Sequence, residues 1–147
     1  MGAIRISEVM TGRKGDADYD FVELYNNSNT AVVLTGWSIK RRSSTGKEST
    51  LVAEARLENK HIAPHGYLLL ANEKGYTGVP IADVVWPASY SFSGGKNAVI
   101  VLDDGGAVTD ETAWENIPDG QSLVRDSWDS GTYHIFATPT PGIANIQ

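Results

Sequence analysis

Cysteine is absent from the 147 residues of the sequence, so no disulfide bond can hold this fold together. A chain of this length buries on the order of 70% of the surface that its unfolded state exposes, and it needs no such staple. The missing cysteines leave the compartment open, because neither a reducing nor an oxidising environment is contradicted. We expect one domain, residues 1–147, that is stabilised by its hydrophobic core.

Long apolar runs are also absent. The longest, such as YLLLA and AVIVL, have about five residues, far fewer than the roughly 20 that a helix needs to span a bilayer. The first residues, MGAIRISEV, do not contain the charged and apolar regions of a secretory signal. The Met-Gly start, residues 1–2, is compatible with a cloning junction. Two alternatives therefore stay open: an intracellular protein, or a module excised from a larger secreted or cell-surface protein.

Positive charge is scarce, since 12 Lys and Arg stand against 18 Asp and Glu and give a net charge of -6. Such a chain repels a phosphate backbone unless its basic residues cluster. The only cluster is Lys40, Arg41 and Arg42, with Lys47 nearby. Bases in a loop rich in Ser, Thr and Gly usually form a solvated hairpin tip. Nucleic-acid binding through residues 40–47 is the alternative hypothesis.

Helical periodicity is hard to find. Apolar residues come in short runs that are separated by turn residues about every 8 to 12 positions, a pattern that predicts an all-β sandwich or barrel. Turn sequences such as NNSN, SSTGK and DDGG supply the Gly, Asn and Asp that tight turns favour. About nine strands are predicted, at residues 3–9, 19–26, 31–40, 49–52, 66–72, 98–103, 108–114, 121–125 and 132–136.

Within the run AVVLTGWSI, the alternation of apolar residues slips at a glycine. Val32 and Leu34 share one face of an extended strand, whereas Trp37 and Ile39 share the face of opposite parity. Gly36 stands between the two pairs, which predicts a β-bulge. The bulge would let all four side chains enter one core, so we predict that Trp37 is a core residue.

Two glutamates, Glu8 and Glu23, stand inside predicted strands. A pair of carboxyls with different pKa values is what glycoside hydrolysis requires, so a hydrolase is one hypothesis. No groove lined with aromatic residues is visible in the sequence, and a structural role is favoured. A buried carboxylate must find a cation or backbone donors. We predict that Arg125, in QSLVR, is largely buried and paired with one of these two acids.

Other chemical motifs are missing or incomplete. Asp16, Asp18 and Asp20 in GDADYD alternate as at the start of a calcium loop, but Phe21 replaces the required glycine and Asn27 replaces the required acid. A looser calcium site stays open. The three histidines have no metal-ligand spacing, and no GxSxG, HExxH or P-loop motif occurs. We predict no cofactor, no metal site of a known type and no enzymatic activity.

Residues 73–97 form the least regular part of the sequence, and long ordered loops often carry function. Tyr76, Trp86 and Tyr90 follow no core periodicity, so we predict that they are exposed anchors of an interface. The alternative is that Trp86 and Phe92 cap one open end of the sandwich. Residues 138–147, TPTPGIANIQ, predict an extended proline-rich tail that lies along the domain or leads to a linker.

Six segments occur in an order that is typical of one family: IRISEV, DFVELYNNSNTAVVLTGWSIK, HGYLLLAN, NAVIVLDDGGAVTD, GQSLVR and TPTPGIAN. In these segments the chain resembles the lamin tail domain family, and its prokaryotic-type members in particular. The resemblance implies an immunoglobulin-like β-sandwich and a non-catalytic module that mediates protein or cell-surface contacts, often within a larger secreted polypeptide. It implies no catalytic residue and no identified partner. The sequence departs from the family in KRRSSTGK and in residues 73–97.

Overall fold

The computed structural model describes residues 2–91 and 93–143, and this part of the chain is almost entirely β-structure. It contains one short helix, α1 (Glu54–Leu57), and no helix in it is long and apolar enough to cross a membrane. Its strands are β1 (Ile4–Arg13), β2 (Asp16–Asn26), β3 (Val32–Val33), β4 (Ser38–Arg42), β5 (Glu48–Val52), β6 (His61–Ile62), β7 (Tyr67–Asn72), β8 (Val84–Trp86), β9 (Gly95–Leu102), β10 (Val108–Asn116), β11 (Ser122–Arg125) and β12 (Tyr133–Phe136).

Two sheets pack face to face. One has six strands in the order β12-β11-β1-β2-β7-β8, and the other has four in the order β10-β9-β4-β5, while β3 and β6 pair separately. Neighbouring strands are antiparallel except for β7 and β8, which are parallel. A continuous apolar core lies between the sheets. The prediction of an all-β immunoglobulin-like sandwich is confirmed.

Alternation along β2 shows how the sequence divides between the two faces of the six-stranded sheet. Val22 and Leu24 belong to the core between the sheets. Phe21 packs on the opposite, outer face, and Glu23 and Tyr25 share its parity. The outer face is therefore partly apolar, and it carries a carboxylate between two aromatic rings.

The predicted single strand over residues 31–40 is wrong. Gly36 has a φ of +86°, and the amide of Trp37 donates to the carbonyl of Leu34 at 2.9 Å. This is a turn and not a β-bulge, and it separates β3 from β4, which lie in different sheets. Leu34 and Ile39 are fully buried, whereas Trp37 is half-buried and packs against the core from its edge. Trp37 therefore contacts the core, as predicted, but its side chain is only partly buried.

Candidate functional site

Glu8 and Glu23 form a pair of adjacent carboxylates on the outer face of the six-stranded sheet. They stand directly opposite each other in the antiparallel register of β1 and β2, and both are completely buried. The hydroxyl of Ser122 donates to Glu8 Oε2 at 2.6 Å, and the hydroxyl of Ser7 donates to Glu23 Oε1 at 2.5 Å. The two acids are thus held by the sheet itself.

Residues 138–143, which we call the terminal segment, lie across this pair. The amide of Thr140 donates to Glu8 Oε2 at 3.0 Å, and its hydroxyl donates to Glu8 Oε1, also at 3.0 Å. The amide of Gly142 donates to Glu23 Oε2. Two backbone N–H groups and the Thr140 hydroxyl therefore donate to the two carboxylates from the side of the terminal segment.

Burial raises the pKa of Glu23 from 4.5 to about 7. The hydrogen bonds from Ser7 and Gly142 lower this pKa, and the neighbouring charge of Glu8 raises it, but desolvation is the largest cause. Tyr67 and Tyr76 are close enough for their pKa values to respond to Glu23, although burial is the main reason that both rise to about 12. Glu23 therefore titrates near neutral pH.

The position of the terminal segment gives the hydrolase hypothesis no support. General acid/base chemistry on a glycoside needs a substrate between the two carboxyls. Here the backbone of Thr140 and Gly142 occupies that position. The two carboxylates thus hold the terminal segment of the same chain.

Arg125 is fully buried, as predicted, but the predicted partner is wrong. Its guanidinium forms an ion pair with Asp110, donates to the carbonyl of Ile6 at 3.0 Å and donates to the hydroxyl of Tyr133 at 2.6 Å. Asp110 also accepts from the amide of Ile6 at 2.7 Å. Since Asp110 lies in β10, this network joins the two sheets.

The alternation of side chains along β11 explains why Arg125 does not reach the two glutamates. In β11 it shares the face of Leu123, which belongs to the core between the sheets, whereas Glu8 and Glu23 face outward. Asp110 was missed although a signal for it exists. In VTDETAW it alternates with Thr112 and Trp114, which are both buried, so the pattern places an acid on an inward-facing position.

The basic cluster is divided by the alternation of β4. Lys40 and Arg42 share one parity, and Arg41 has the other. Arg42 forms ion pairs with Glu48 at 3.0 Å and with Glu111 at 2.5 Å. The predicted bases therefore do not form one continuous positive surface.

Arg41 instead connects two segments that the sequence singled out separately. Its guanidinium donates to the carbonyl of Ser91 and to the hydroxyl of Ser49 at 3.0 Å, and it lies 5.7 Å from the centre of the Tyr90 ring. The basic turn, residues 40–47, and residues 73–97, which we call the irregular segment, thus meet at one end of the sandwich.

A cleft of about 770 Å³ opens where they meet, and we call it the polar cleft. Tyr90, whose ring lies beside Arg41 of the lining, is 38% exposed, and the prediction of its exposure is correct. Hydroxyl and amide side chains dominate the lining, with two bases and two acids. The lining residues are Thr11, Ala17, Asp18, Arg41, Ser43, Ser44, Lys47, Ser49, Ser91, Ser93, Gly94, Asn97 and Asp119.

The predicted exposure of Tyr76 and Trp86 is wrong. Tyr76 packs on the outer face of the six-stranded sheet, with its ring centre 5.8 Å from that of Phe21, and its hydroxyl donates to the carbonyl of Pro80 at 2.6 Å. Trp86 is completely buried, and its indole N–H donates to the carbonyl of Tyr90 at 2.8 Å. The irregular segment folds back and adds β8 to the sheet, which no local periodicity reveals. Phe92 lies outside the described residues.

Asp16, Asp18 and Asp20 lie in extended β2 and not in a loop. Asp16 is 3.9 Å from the Arg13 guanidinium, and Asp20 is buried. Among the described residues, no three His, Asp or Glu side chains come together as metal ligands would. The geometry therefore gives the calcium hypothesis no support.

Two comparisons with known proteins bear on identity. None of the curated proteins matches the chain significantly. The family model described as Lamin Tail Domain matches residues 1–116, which include β1 to β10. The chain therefore belongs to the lamin tail domain family, whose members are immunoglobulin-like modules that generally bind or organise other molecules and do not catalyse reactions.

Proposed function

We propose that this domain is a non-catalytic binding module that captures an extended, polar segment of a protein partner in the polar cleft, as one part of a larger polypeptide. The observation that carries the proposal is the convergence on Arg41. Its contacts with Ser91 and Tyr90 bring the basic turn and the irregular segment to one cleft.

The chemistry of the polar cleft suits a polar peptide. Five serines line it, and each hydroxyl can donate as well as accept a hydrogen bond. Arg41 and Lys47 offer positive charge, while Asp18 and Asp119 offer negative charge. A peptide presents both amides and carbonyls, and Tyr90 beside the cleft supplies the rigid aromatic contact that interfaces favour.

Nucleic-acid binding is the alternative, and the charges around the basic turn favour it less. A polyanion requires several unpaired bases on one face. Arg42 is already paired with two glutamates, and Lys40 has the opposite parity to Arg41. The two acids in the polar cleft and the net charge of -6 also oppose a phosphate backbone.

A photo-crosslinking experiment tests the proposal. A photoreactive phenylalanine analogue is placed at Ser44, which is exposed at the polar cleft, and in a matched control at Glu58. Glu58 is also exposed, but it lies beside Thr35 and Gly36, at the other end of β4. We expect a protein adduct from Ser44 in extracts of the native organism and none from Glu58.

Two substitutions complete the test. Tyr90→Ser and Lys47→Glu should each reduce the Ser44 adduct at least about tenfold, while Lys60→Glu, at a distant exposed position, should leave it unchanged. Equal adducts from Ser44 and Glu58, or an adduct that survives both cleft substitutions, would rule the cleft out. Capture of DNA at physiological salt that Lys47→Glu abolishes would favour the nucleic-acid alternative.

A further inference from the structure

The outer face of the six-stranded sheet has a groove that the terminal segment fills in part. Met10 and Phe21 form its floor, and Pro139 and Pro141 lie along it, next to a remaining cavity of about 310 Å³. This groove is distinct from the polar cleft. Thr11 lines the cleft and Met10 lines the groove, and consecutive residues of a strand face opposite sides.

The carboxylate pair matches the hydrogen-bonding pattern of the terminal segment. Proline has no N–H group, so Thr140 and Gly142 carry the two backbone donors of the stretch Pro-Thr-Pro-Gly. Each donor is taken by one buried carboxylate, Thr140 by Glu8 and Gly142 by Glu23. A segment with the pattern Pro-X-Pro-Gly thus presents donors only where the groove has acceptors.

The spacing of the two acids fits this pattern. Glu8 and Glu23 are directly opposite each other, which places their Cβ atoms about 4.5 to 5.5 Å apart. The backbone N–H groups of Thr140 and Gly142, two residues apart, reach Oε2 of Glu8 and Oε2 of Glu23 respectively. The pair therefore accepts hydrogen bonds from alternate residues of the terminal segment.

The groove also requires a glycine at position 142. Gly142 has a φ of +84°, and a Cβ added there would lie 2.8 Å from Cγ of Pro80. The amide of Ile143 donates to the carbonyl of Thr140 at 3.3 Å, so Pro141 and Gly142 occupy the central positions of a turn with the residue preferences of type II. A larger residue at this position would prevent the segment from seating.

We propose that the groove over Glu8 and Glu23 is a peptide-binding site for Pro-Thr-Pro-Gly segments, and that it accepts the terminal segment of a second copy of this chain in place of its own. An identical segment makes identical contacts, as in other exchanged dimers. Ala137 and Thr138, which are exposed and follow the edge strand β12, would serve as the hinge for this exchange. The intramolecular segment prevails in dilute solution, because its effective concentration is in the millimolar range.

The first test uses a labelled synthetic peptide, ATPTPGI, with the sequence of residues 137–143. Gly142→Val should empty the groove without altering it, since valine clashes with Pro80 at this positive φ. We expect the peptide to bind the Gly142→Val chain at least about tenfold more tightly than it binds the unmodified chain. The peptide ATPTPVI and the Gly142→Val chain that also carries Glu23→Leu should each bind at least about tenfold more weakly.

Several outcomes of the peptide experiment would overturn the proposed peptide-binding site. A folded Gly142→Val chain that does not bind ATPTPGI, or binds both peptides equally, overturns it. If Gly142→Val does not fold, hydrogen exchange on the unmodified chain decides. The amides of Thr140 and Gly142 should be protected, and excess ATPTPGI, unlike ATPTPVI, should accelerate their exchange. Unprotected amides, or amides that do not respond, overturn the proposal.

The second test addresses the second copy directly. The Gly142→Val chain has an open groove and a defective segment, whereas the Glu23→Leu chain has a defective groove and an intact segment. We expect sedimentation equilibrium to show a dimer in the mixture of the two chains but monomers in each chain alone. Peptide binding without a mixed dimer would overturn the exchange between copies.

Discussion

Arg125 is a fully buried guanidinium whose hydrogen bonds reach both sheets. We expect Arg125→Met to lower the free energy of unfolding by about 3 to 5 kcal/mol, because the substitution leaves the buried charge of Asp110 without its cation. Urea denaturation measures the loss. Adding Asp110→Asn removes the stranded charge, so the double variant should be more stable than Arg125→Met alone. A loss below about 1 kcal/mol for Arg125→Met would contradict this role of the ion pair.

Glu23 makes the stability of the domain depend on pH. Its folded-state pKa is raised, so the unfolded chain loses this proton near pH 4.5 whereas the folded chain keeps it until about pH 7. The free energy of unfolding should therefore fall as the pH rises between these values and level off above them. At about 1.4 kcal/mol per pH unit, the fall is on the order of 3 kcal/mol.

Glu23→Gln provides the control for this pH dependence. Glutamine keeps the size of the side chain and does not titrate. The free energy of unfolding is measured by urea denaturation at each pH for both proteins, and the difference between the two pH profiles isolates the contribution of Glu23. Glu8, Tyr67 and Tyr76, the other titratable groups that interact with Glu23, remain in both proteins. Equal slopes between pH 4.5 and pH 7 in the two proteins would show that Glu23 is not the source.

At the scale of elements, β8 is a three-residue edge strand that buries two of its side chains, Val84 and Trp86, in the core. Trp86 is completely buried and belongs to the core, whereas Trp37, after the turn at Gly36, is only half-buried. We expect Trp86→Ala to cost about 3 to 5 kcal/mol, the usual range for a buried large aromatic residue. Trp37→Ala should cost less, about 1 to 2 kcal/mol. Chemical denaturation compares them, and an equal or larger loss for Trp37→Ala would contradict this ranking.

At the scale of the whole molecule, the six-stranded sheet includes strands that lie beyond the family match. That match ends at residue 116, yet β11 lies between β1 and β12 in the six-stranded sheet. A chain that ends at Asn116 leaves Asp110 without Arg125 and leaves both glutamates without Thr140 and Gly142. We expect it to lack a cooperative unfolding transition, as judged by circular dichroism in urea. A sharp transition like that of the full chain would place the boundary of the domain at residue 116.

The sequence by itself determined the class of fold and most of its strands. Short alternating runs with turn residues between them do not fit the periodicity of an amphipathic helix. Each of the nine predicted segments contains at least part of a β-strand. The alternation also assigned faces correctly in β2, where Val22 and Leu24 enter the core and Glu23 faces away. These features follow from the two-residue period of an extended chain, which is a local property.

Only the tertiary structure decided which residues meet. Local alternation showed that Arg125 is buried, but the packing of β10 against β1 brought Asp110 to it. The short strand β8 forms because β7 offers its edge, and that pairing buries Trp86. Likewise, the terminal segment finds Glu8 and Glu23 across more than 100 residues of sequence. Contacts between residues so distant in sequence depend on how the sheets and segments pack, and no short-range pattern encodes that packing.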